Sequence, residues 1–352
     1  MMTRAEAIEH LRADAQPLPD GEAFSVDYFT PQDADGVARL MFAVYGDGHP
    51  IDTYYIPEQL IEENRAGRIR SVVARTDDGQ VVCHEAFYRS SAPNPELYEL
   101  GMGLTLPSYR GSLAFARCTG LLVTLLENKT ITAIFGEAVC NHVITQKTAS
   151  PVKFVETGIE LELMPNNTYQ KEQAAEGRVS CLLLFRVEQD HERPLCIPDC
   201  YADQLRFMMA GLGLKRQLLQ PSDQPVAAAS ELQTEQFPSA GVCRCNIIVA
   251  GQDLAEQLAV LEQELRGQGY ALLQCFIPLD TATAATTVAT LRNAGFFLGG
   301  FLPVWFGADG LLMQKLFVEP CFDAIKLYSE RSRAILELVR ADWQRSKALG
   351  TT

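Results

Sequence analysis

Residues Tyr98-Glu-Leu-Gly-Met-Gly-Leu-Thr-Leu-Pro-Ser-Tyr-Arg-Gly-Ser-Leu-Ala-Phe115, with the apolar helical run that follows to Glu127, constrain the fold more than any other stretch. They read as a strand ending at a proline, then a Tyr-Arg-Gly turn, then the start of a helix. A helix opening directly after a strand presents unpaired N–H groups and the positive end of its dipole at the strand's carboxyl end. Such a place suits a phosphate. At 352 residues, the chain has material for two domains. Its 47% hydrophobic and 21% charged content implies packed cores rather than disorder. The 30 basic and 44 acidic side chains leave a net charge of −14. That surface repels phosphate backbones, so nucleic acid is not an expected partner. No apolar run approaches a membrane span, and Met1-Met-Thr-Arg-Ala-Glu-Ala lacks a signal peptide's apolar stretch. The expected compartment is the cytoplasm, with no membrane partner.

Ten cysteines sit mostly at apolar positions, among them Cys83, Cys118, Cys140, Cys181 and Cys275. They read as buried, reduced thiols. His191, Cys196 and Cys200 form one cluster, and Cys243 with Cys245 another; neither has paired zinc spacing, so no metal site is expected. The sequons at Asn128 and Asn166 carry no weight in a cytoplasmic chain.

The first half alternates strands with helices. Phe24 to Phe29 reads as a strand, and Thr30-Pro-Gln-Asp opens a helix with Val37, Leu40, Met41 and Val44 on one face. Ile69–Arg75 and Gln80–Ser90 form a hairpin around Asp77-Asp-Gly79. The strand Leu97–Leu106 follows, then the helix to Glu127, the strand Ile131–Val139, a short helix from Asn141 and the strand Phe154–Leu163. The central strand, helix and strand form a right-handed parallel crossover.

This order, with the Tyr98–Phe115 stretch, resembles the GNAT superfamily of N-acetyltransferases, which bind the pyrophosphate of acyl-coenzyme A at that loop. Family loops usually read Arg/Gln-x-x-Gly-x-Gly/Ala. Arg110 and Gly111 are in place, whereas Leu113 and Phe115 stand where two later glycines belong. The segments Gly136–Lys147 and Lys153–Ile159 resemble the family's strand ending in Asn, the next helix and the Gly-Phe opening of a further strand. Asp35 to Gly46 resembles a bacterial GNAT subgroup. The resemblance covers about residues 24–165 and implies acetyl-CoA or another acyl-CoA as cofactor. The pyrophosphate would fall on Arg110, Gly111, Ser112, Leu113, Ala114 and Phe115. The pantetheine arm would pair with the backbone of Leu104 to Leu106, and Asn141 belongs to the same cofactor-binding set.

The second half follows a polar linker, 166–177. Val179–Val187 and Val242–Ala250 read as strands; Asp253 opens a helix with Leu254, Leu258, Leu261 and Leu265 on one side. The strand Ala271–Leu279, the helix Thr283–Ala294 and strands near Leu302–Phe306 and Leu311–Phe317 come next. Gln220-Pro-Ser-Asp-Gln-Pro225 reads as a loop. Leu291-Arg-Asn-Ala-Gly-Phe296 again resembles a GNAT helix meeting a strand. The expected fold class is therefore α/β, with mixed α+β sheets: two GNAT-like domains, each a twisted mixed sheet flanked by helices. The boundaries are an N-terminal extension 1–23, an acyl-CoA-binding domain 24–165, the linker 166–177, a degenerate second domain 178–320 and a C-terminal helix in 321–352. Only Ala250-Gly-Gln252 separates strand from helix in the second domain, too few residues for a cofactor loop.

Acetyl transfer to an amine requires a thioester held beside a deprotonated amine, and a base to take the proton. Glu99, Glu137 and His142 are the candidate catalytic residues; His84 reads as a satisfied, half-buried histidine. The tyrosine that the family commonly uses as general acid would stand near Ala149. None is there, Ser150-Pro151 follows, and Lys153 replaces a glycine. Tyr54, Tyr55, Trp305 and Phe306 read either as core or as the wall of an acceptor pocket. The sequence supports an acyl-CoA-dependent N-acyltransferase acting on a small-molecule or peptide amine, with a homodimer allowed. The alternative is a catalytically silent tandem module that binds a ligand or protein partner.

Overall fold

Thr3 opens the first helix through a reciprocal cap, its side chain taking the Glu6 N–H while the Glu6 carboxylate takes the Thr3 N–H. From this helix onward the computed structural model describes residues 2–14, 16–49, 51–149, 152–165, 177–220 and 227–349. The linker residues 166–176, Ser150, Pro151 and the loop residues 221–225 lie outside the described residues. The chain divides into two units, one of residues 1–90 and 98–134, the other of 91–97 and 135–352.

The first unit contains α1 (Arg4–Ala13), β1 (Phe24–Tyr28), α2 (Ala34–Tyr45), α3 (Pro57–Arg65), β2 (Ile69–Thr76), β3 (Val81–Tyr88), β4 (Leu97–Thr105, from Tyr98 in this unit) and α4 (Ala114–Glu127). Strands β1 to β4 form an antiparallel meander, with Val26 opposite Ala74, Val73 opposite His84 and Cys83 opposite Thr105. The β2–β3 turn works as its sequence implies: Gly79 has φ +85° and returns its N–H to the Thr76 carbonyl. The apolar face of α2 buries Val37, Leu40 and Met41, and α4 buries Cys118, Leu122 and Leu126. Each such leucine contributes about 2 kcal/mol by leaving water. Strand β4 carries a bulge at Met102, whose φ of +52° lies in the left-handed region, and the register against β3 shifts there.

The second unit holds the rest of β5 (Ala133–Val139), α5 (Ile144–Ala149), β6 (Val155–Pro165), β7 (Arg178–Val187), β8 (Arg193–Leu195), α6 (Ala202–Met209), β9 (Arg216–Leu218), β10 (Glu231–Phe237), β11 (Val242–Val249), α7 (Leu254–Gly267), β12 (Leu272–Pro278), α8 (Ala284–Asn293), β13 (Phe297–Leu302), β14 (Gly310–Leu316) and α9 (Glu330–Leu349). Its large mixed sheet runs β5-β7-β6-β13-β14-β12-β11-β10. The same winding occurs twice. Strand β7 folds back between β5 and β6, and β14 folds back between β12 and β13. Strands β11 and β12 are parallel, joined by α7.

The two windings meet at β6 and β13, where Gly300 pairs with Gly158. A Cβ on Gly158 would lie 2.6 Å from the Gly300 Cα, so only glycine permits this approach. Beyond the glycines, Gln314 of β14 takes the Leu161 N–H at 3.0 Å and donates to the Ile159 carbonyl at 2.8 Å. A side-chain amide thus completes the β6 ladder. Val179–Val187, the first strand of the expected domain 178–320, lies in β7, whose Leu182 stands opposite Ile159 of β6. The hydrophobic periodicity identified this strand but carried no information about its neighbours. Helix α9 packs Ile335 and Val339 into the core. Among the described residues, no helix is long and apolar enough to cross a membrane.

Candidate functional site

The residues from Pro107 to Ala116 connect β4 to α4 in the first unit. Pro107–Tyr109 forms a single 3-10 turn, and Gly111, at φ +89° with open space around it, turns the chain into the helix. The Ala114 N–H bonds the Ser112 hydroxyl at 3.2 Å, and the Ser112 N–H returns to the Tyr109 carbonyl. The N–H groups of Gly111, Leu113, Phe115 and Ala116 find no acceptor among the described residues. No acidic residue stands in the first turn of α4, and Arg110 and Arg117 are exposed beside it. The two residues that replace glycines do different things. The Leu113 side chain is 62% exposed. The Phe115 ring lies on β4, where a Cβ at Gly103 would meet it at 2.5 Å.

An N-terminal strap fixes this loop. The Tyr109 hydroxyl donates to Glu22 at 2.9 Å and the Ser108 hydroxyl to the Pro19 carbonyl at 3.0 Å. Phe24 meets the Tyr109 ring edge-on at 6.0 Å. Burial and the neighbouring Glu22 carboxylate push the Tyr109 phenol up to about 12.

Strand β4 divides the stretch Leu104 to Leu106 expected to meet the pantetheine arm. Leu106 gives its N–H to the Val82 carbonyl, and Leu104 stands opposite His84, so both turn their backbone toward β3. Thr105, between them, is the residue whose backbone turns the other way. The bulge at Met102 is held by His84, which is fully buried rather than half-buried. Its Nδ1 faces the Met102 carbonyl and its Nε2 the Ser71 hydroxyl, each at 3.0 Å. A carbonyl can only accept, so Nδ1 carries the proton and Nε2 accepts from Ser71. Burial lowers the His84 pKa to about 4, keeping the ring neutral. Glu99, also on β4, accepts a hydrogen bond from the Tyr88 hydroxyl. Tyr54 and Tyr55 belong to the core: Tyr54 meets the His84 ring edge-on at 5.6 Å, and the Tyr55 hydroxyl bonds the Gly46 carbonyl.

Glu137, Asn141 and His142 lie in the second unit. The Glu137 side chain is 17% exposed and paired with Arg244 of β11 at 2.7 Å. His142 accepts the Ile144 N–H on Nδ1 at 3.3 Å, a role at the start of α5. Asn141 lies with Arg178, Ser180 and Cys321 around a small cavity, against the segment that follows β14. That segment covers the end of β5: the Lys326 N–H bonds the Cys140 carbonyl, and Gln146 bonds Lys326 and Tyr328. Trp305 is core, stacked on Phe276 at 4.9 Å with its Nε1 on Asn246.

Sequence reasoning missed Arg244, Glu160, Gln274 and Glu85. Each is a polar side chain inside an otherwise apolar strand, as in Val242-Cys-Arg-Cys and Val81-Val-Cys-His-Glu-Ala-Phe87. That pattern was the available signal, since a buried charge requires a partner. Among the described residues, no group of three or more His, Cys, Asp or Glu side chains is placed to hold a metal ion.

No family model and no curated protein matches the chain. Solved structures do. A ribosomal-protein-S5-alanine acetyltransferase from Vibrio fischeri is 12% identical, aligned over 48% of this chain and 96% of its own, with a TM-score of 0.38. An acetyltransferase of the GNAT family from Staphylococcus aureus is 10% identical over 47% of this chain and 100% of its own, with a TM-score of 0.35. A Salmonella typhimurium protein solved with its cofactor acetyl-CoA is 10% identical over 48% of this chain and 96% of its own, with a TM-score of 0.38. Over about half its length, this chain is similar to acetyltransferases of the GNAT family.

Proposed function

We propose that the chain is an acyl-CoA-dependent N-acyltransferase whose first-unit loop 107–116 binds the pyrophosphate of acetyl-CoA or a related acyl-CoA. One observation carries this reading: four N–H groups in and just before the first turn of α4 that have no acceptor among the described residues, beside Arg110 and Arg117, with no acid in that turn. A pyrophosphate, with one negative charge on each phosphoryl group, gains charge-assisted hydrogen bonds in such a place. Leu113 and Phe115 keep their N–H groups, and neither side chain need cover them, because one stands in solvent and the other lies on β4.

Bound acyl-CoA supplies a thioester, and the acceptor supplies a neutral amine. The chain's own work is to hold the two and take up the proton released as the amide forms. Of the proposed proton acceptors Glu99, Glu137 and His142, Glu99 is the one that lies in the same unit as the loop. We read the acceptor as a small-molecule or peptide amine and the compartment as the cytoplasm. Phe115, packed on Gly103, favours the second reading, a silent module that binds without turnover.

Calorimetric titration with acetyl-CoA tests the proposal. Binding that Arg110→Ala weakens by about tenfold, the worth of one charge-assisted contact, is expected. Absence of binding to acetyl-, propionyl- and longer acyl-CoA refutes it.

A further inference from the structure

Arg266 of α7, Lys315 of β14 and Lys347 of α9 line one cavity of about 420 Å³ in the second unit. Among the described residues its lining includes no acidic side chain. In a chain with 44 acidic and 30 basic side chains, a lining charged only by cations runs against the average. Three like charges around one space repel each other. Each of them lies on an aromatic ring: Arg266 is 4.3 Å from the centre of Phe317, Lys347 5.1 Å from Trp343 and Lys315 5.7 Å from Phe296. Such contacts hold a cation in place without neutralising it.

Two carboxylates that do not line the cavity answer the three cations. Glu262 takes Arg266 Nε at 2.9 Å and Lys315 Nζ at 2.5 Å. Glu319 takes Lys347 at 2.5 Å, an exposed pair of little worth. Among these five groups one positive charge is in excess. Hydrogen-bond donors are in excess as well. A second Lys315 N–H goes to the Ala294 carbonyl at 2.6 Å, and the third has no acceptor among the described residues. The same holds for the Arg266 Nη groups, the Asn293 amide and the Trp343 indole N–H, all on the cavity's lining side chains. Surplus charge together with surplus donors suits an anion with several acceptor oxygens.

A second cavity of about 570 Å³ adjoins the first and shares Asn293, Ala294 and Lys315 with it. It lies between α7 and α8, where Leu258, Ala259 and Phe296 give it an apolar wall and Glu262 stands beside Lys315. The two spaces have room for a small organic molecule. One offers cations and donors, the other an apolar surface.

We propose that this pair of cavities binds a small amphipathic anion. Its phosphate or carboxylate head lies among Arg266, Lys315 and Lys347, and its apolar body lies against α7 and α8. The site belongs wholly to the second unit and stands independently of the acyltransferase reading.

Calorimetry on the full chain tests the proposal, with decyl phosphate and decanoate as probes below their micelle concentrations and decylamine as the cationic counterpart. One equivalent of an anion is expected to bind, the tighter of the two identifying the head group, and decylamine is expected not to bind. Arg266→Gln/Lys347→Gln alters side chains that are 47% and 52% exposed, so the fold should be kept. Affinity should fall by about tenfold or more, the worth of at least one charge-assisted contact. Ala259→Phe places a ring on the exposed side of α7 that faces the apolar cavity, and should exclude the ten-carbon chain with a similar loss. Absence of binding by both anions, equal binding of decylamine, or an affinity that either variant leaves unmoved overturns the proposal.

Discussion

Glu85→Gln should stabilise the protein at neutral and alkaline pH. Glu85 lies on β3 beneath α4, 3% exposed, with the thiols of Cys83 and Cys118 beside it and Thr119 as its hydrogen-bond partner at 2.7 Å. Burial pushes its pKa from an ordinary 4.5 to about 8. The hydrogen bonds agree with a protonated carboxyl. The Thr119 hydroxyl also lies 3.1 Å from the Phe115 carbonyl, which can only accept. One hydroxyl proton cannot serve both, so Thr119 donates to Phe115 and accepts from the Glu85 acid. A folded pKa raised above the unfolded one gives stability that is fully present below pH 4.5 and lost as pH rises toward 8. At about 1.4 kcal/mol per pH unit, the loss is roughly 2–3 kcal/mol between pH 6 and 8.5. Glutamine keeps the shape and has no charge to bury. Urea unfolding of both proteins at half-unit steps over that range isolates the effect as the difference between the two curves. It also avoids the acid range, where a chain of net charge −14 at pH 7 loses its self-repulsion. The gap should widen by about 2 kcal/mol toward pH 8.5; parallel curves refute the reasoning.

Two further outcomes concern the junction of the windings. Gly158→Ala places a Cβ 2.6 Å from the Gly300 backbone, so the strands must part, costing about 3 kcal/mol in urea unfolding; an unchanged midpoint contradicts the close approach. Gln314→Ala leaves the Leu161 N–H and Ile159 carbonyl buried without their side-chain partner, a loss of about 2–4 kcal/mol. Amide exchange at Leu161 should then accelerate, and unchanged protection would show that another group serves it.

Local signals reached a definite depth in this chain. The Asp77-Asp-Gly79 turn, the stripes of α2 and α4, and the Tyr109-Arg110-Gly111 loop each depend on neighbours within a few residues, and each forms where the sequence places it. The destination of β7 did not follow from its apolar run, because Val179–Val187 is equally suited to any buried place in a sheet. The candidate site divides along the same line. The loop that offers N–H groups was legible because helix starts have a short-range signature. The state of Glu137 was not, since its partner lies 107 positions further along the chain. His84 shows the intermediate case: an isolated histidine in a strand implied a satisfied ring, and only the β4 bulge shows what it satisfies.

The polar residues buried inside strands therefore deserve a different reading from those on helix faces. Arg244, Gln274, Glu160 and Gln314 all point from central strands into places where an aliphatic side chain would pack more cheaply. Each is answered by a partner on another strand, and the partners fall into two kinds. Gln314 answers backbone groups that the β6–β13 glycines leave unpaired, and its task ends with the sheet. The Arg244 group answers side chains and ends at a carboxylate that is not fully buried. The two kinds separate experimentally: Gln314→Ala should lower the urea midpoint and accelerate amide exchange at Leu161, whereas Arg244→Lys, which cannot reproduce the guanidinium fork, should lower the midpoint and leave Leu161 protected.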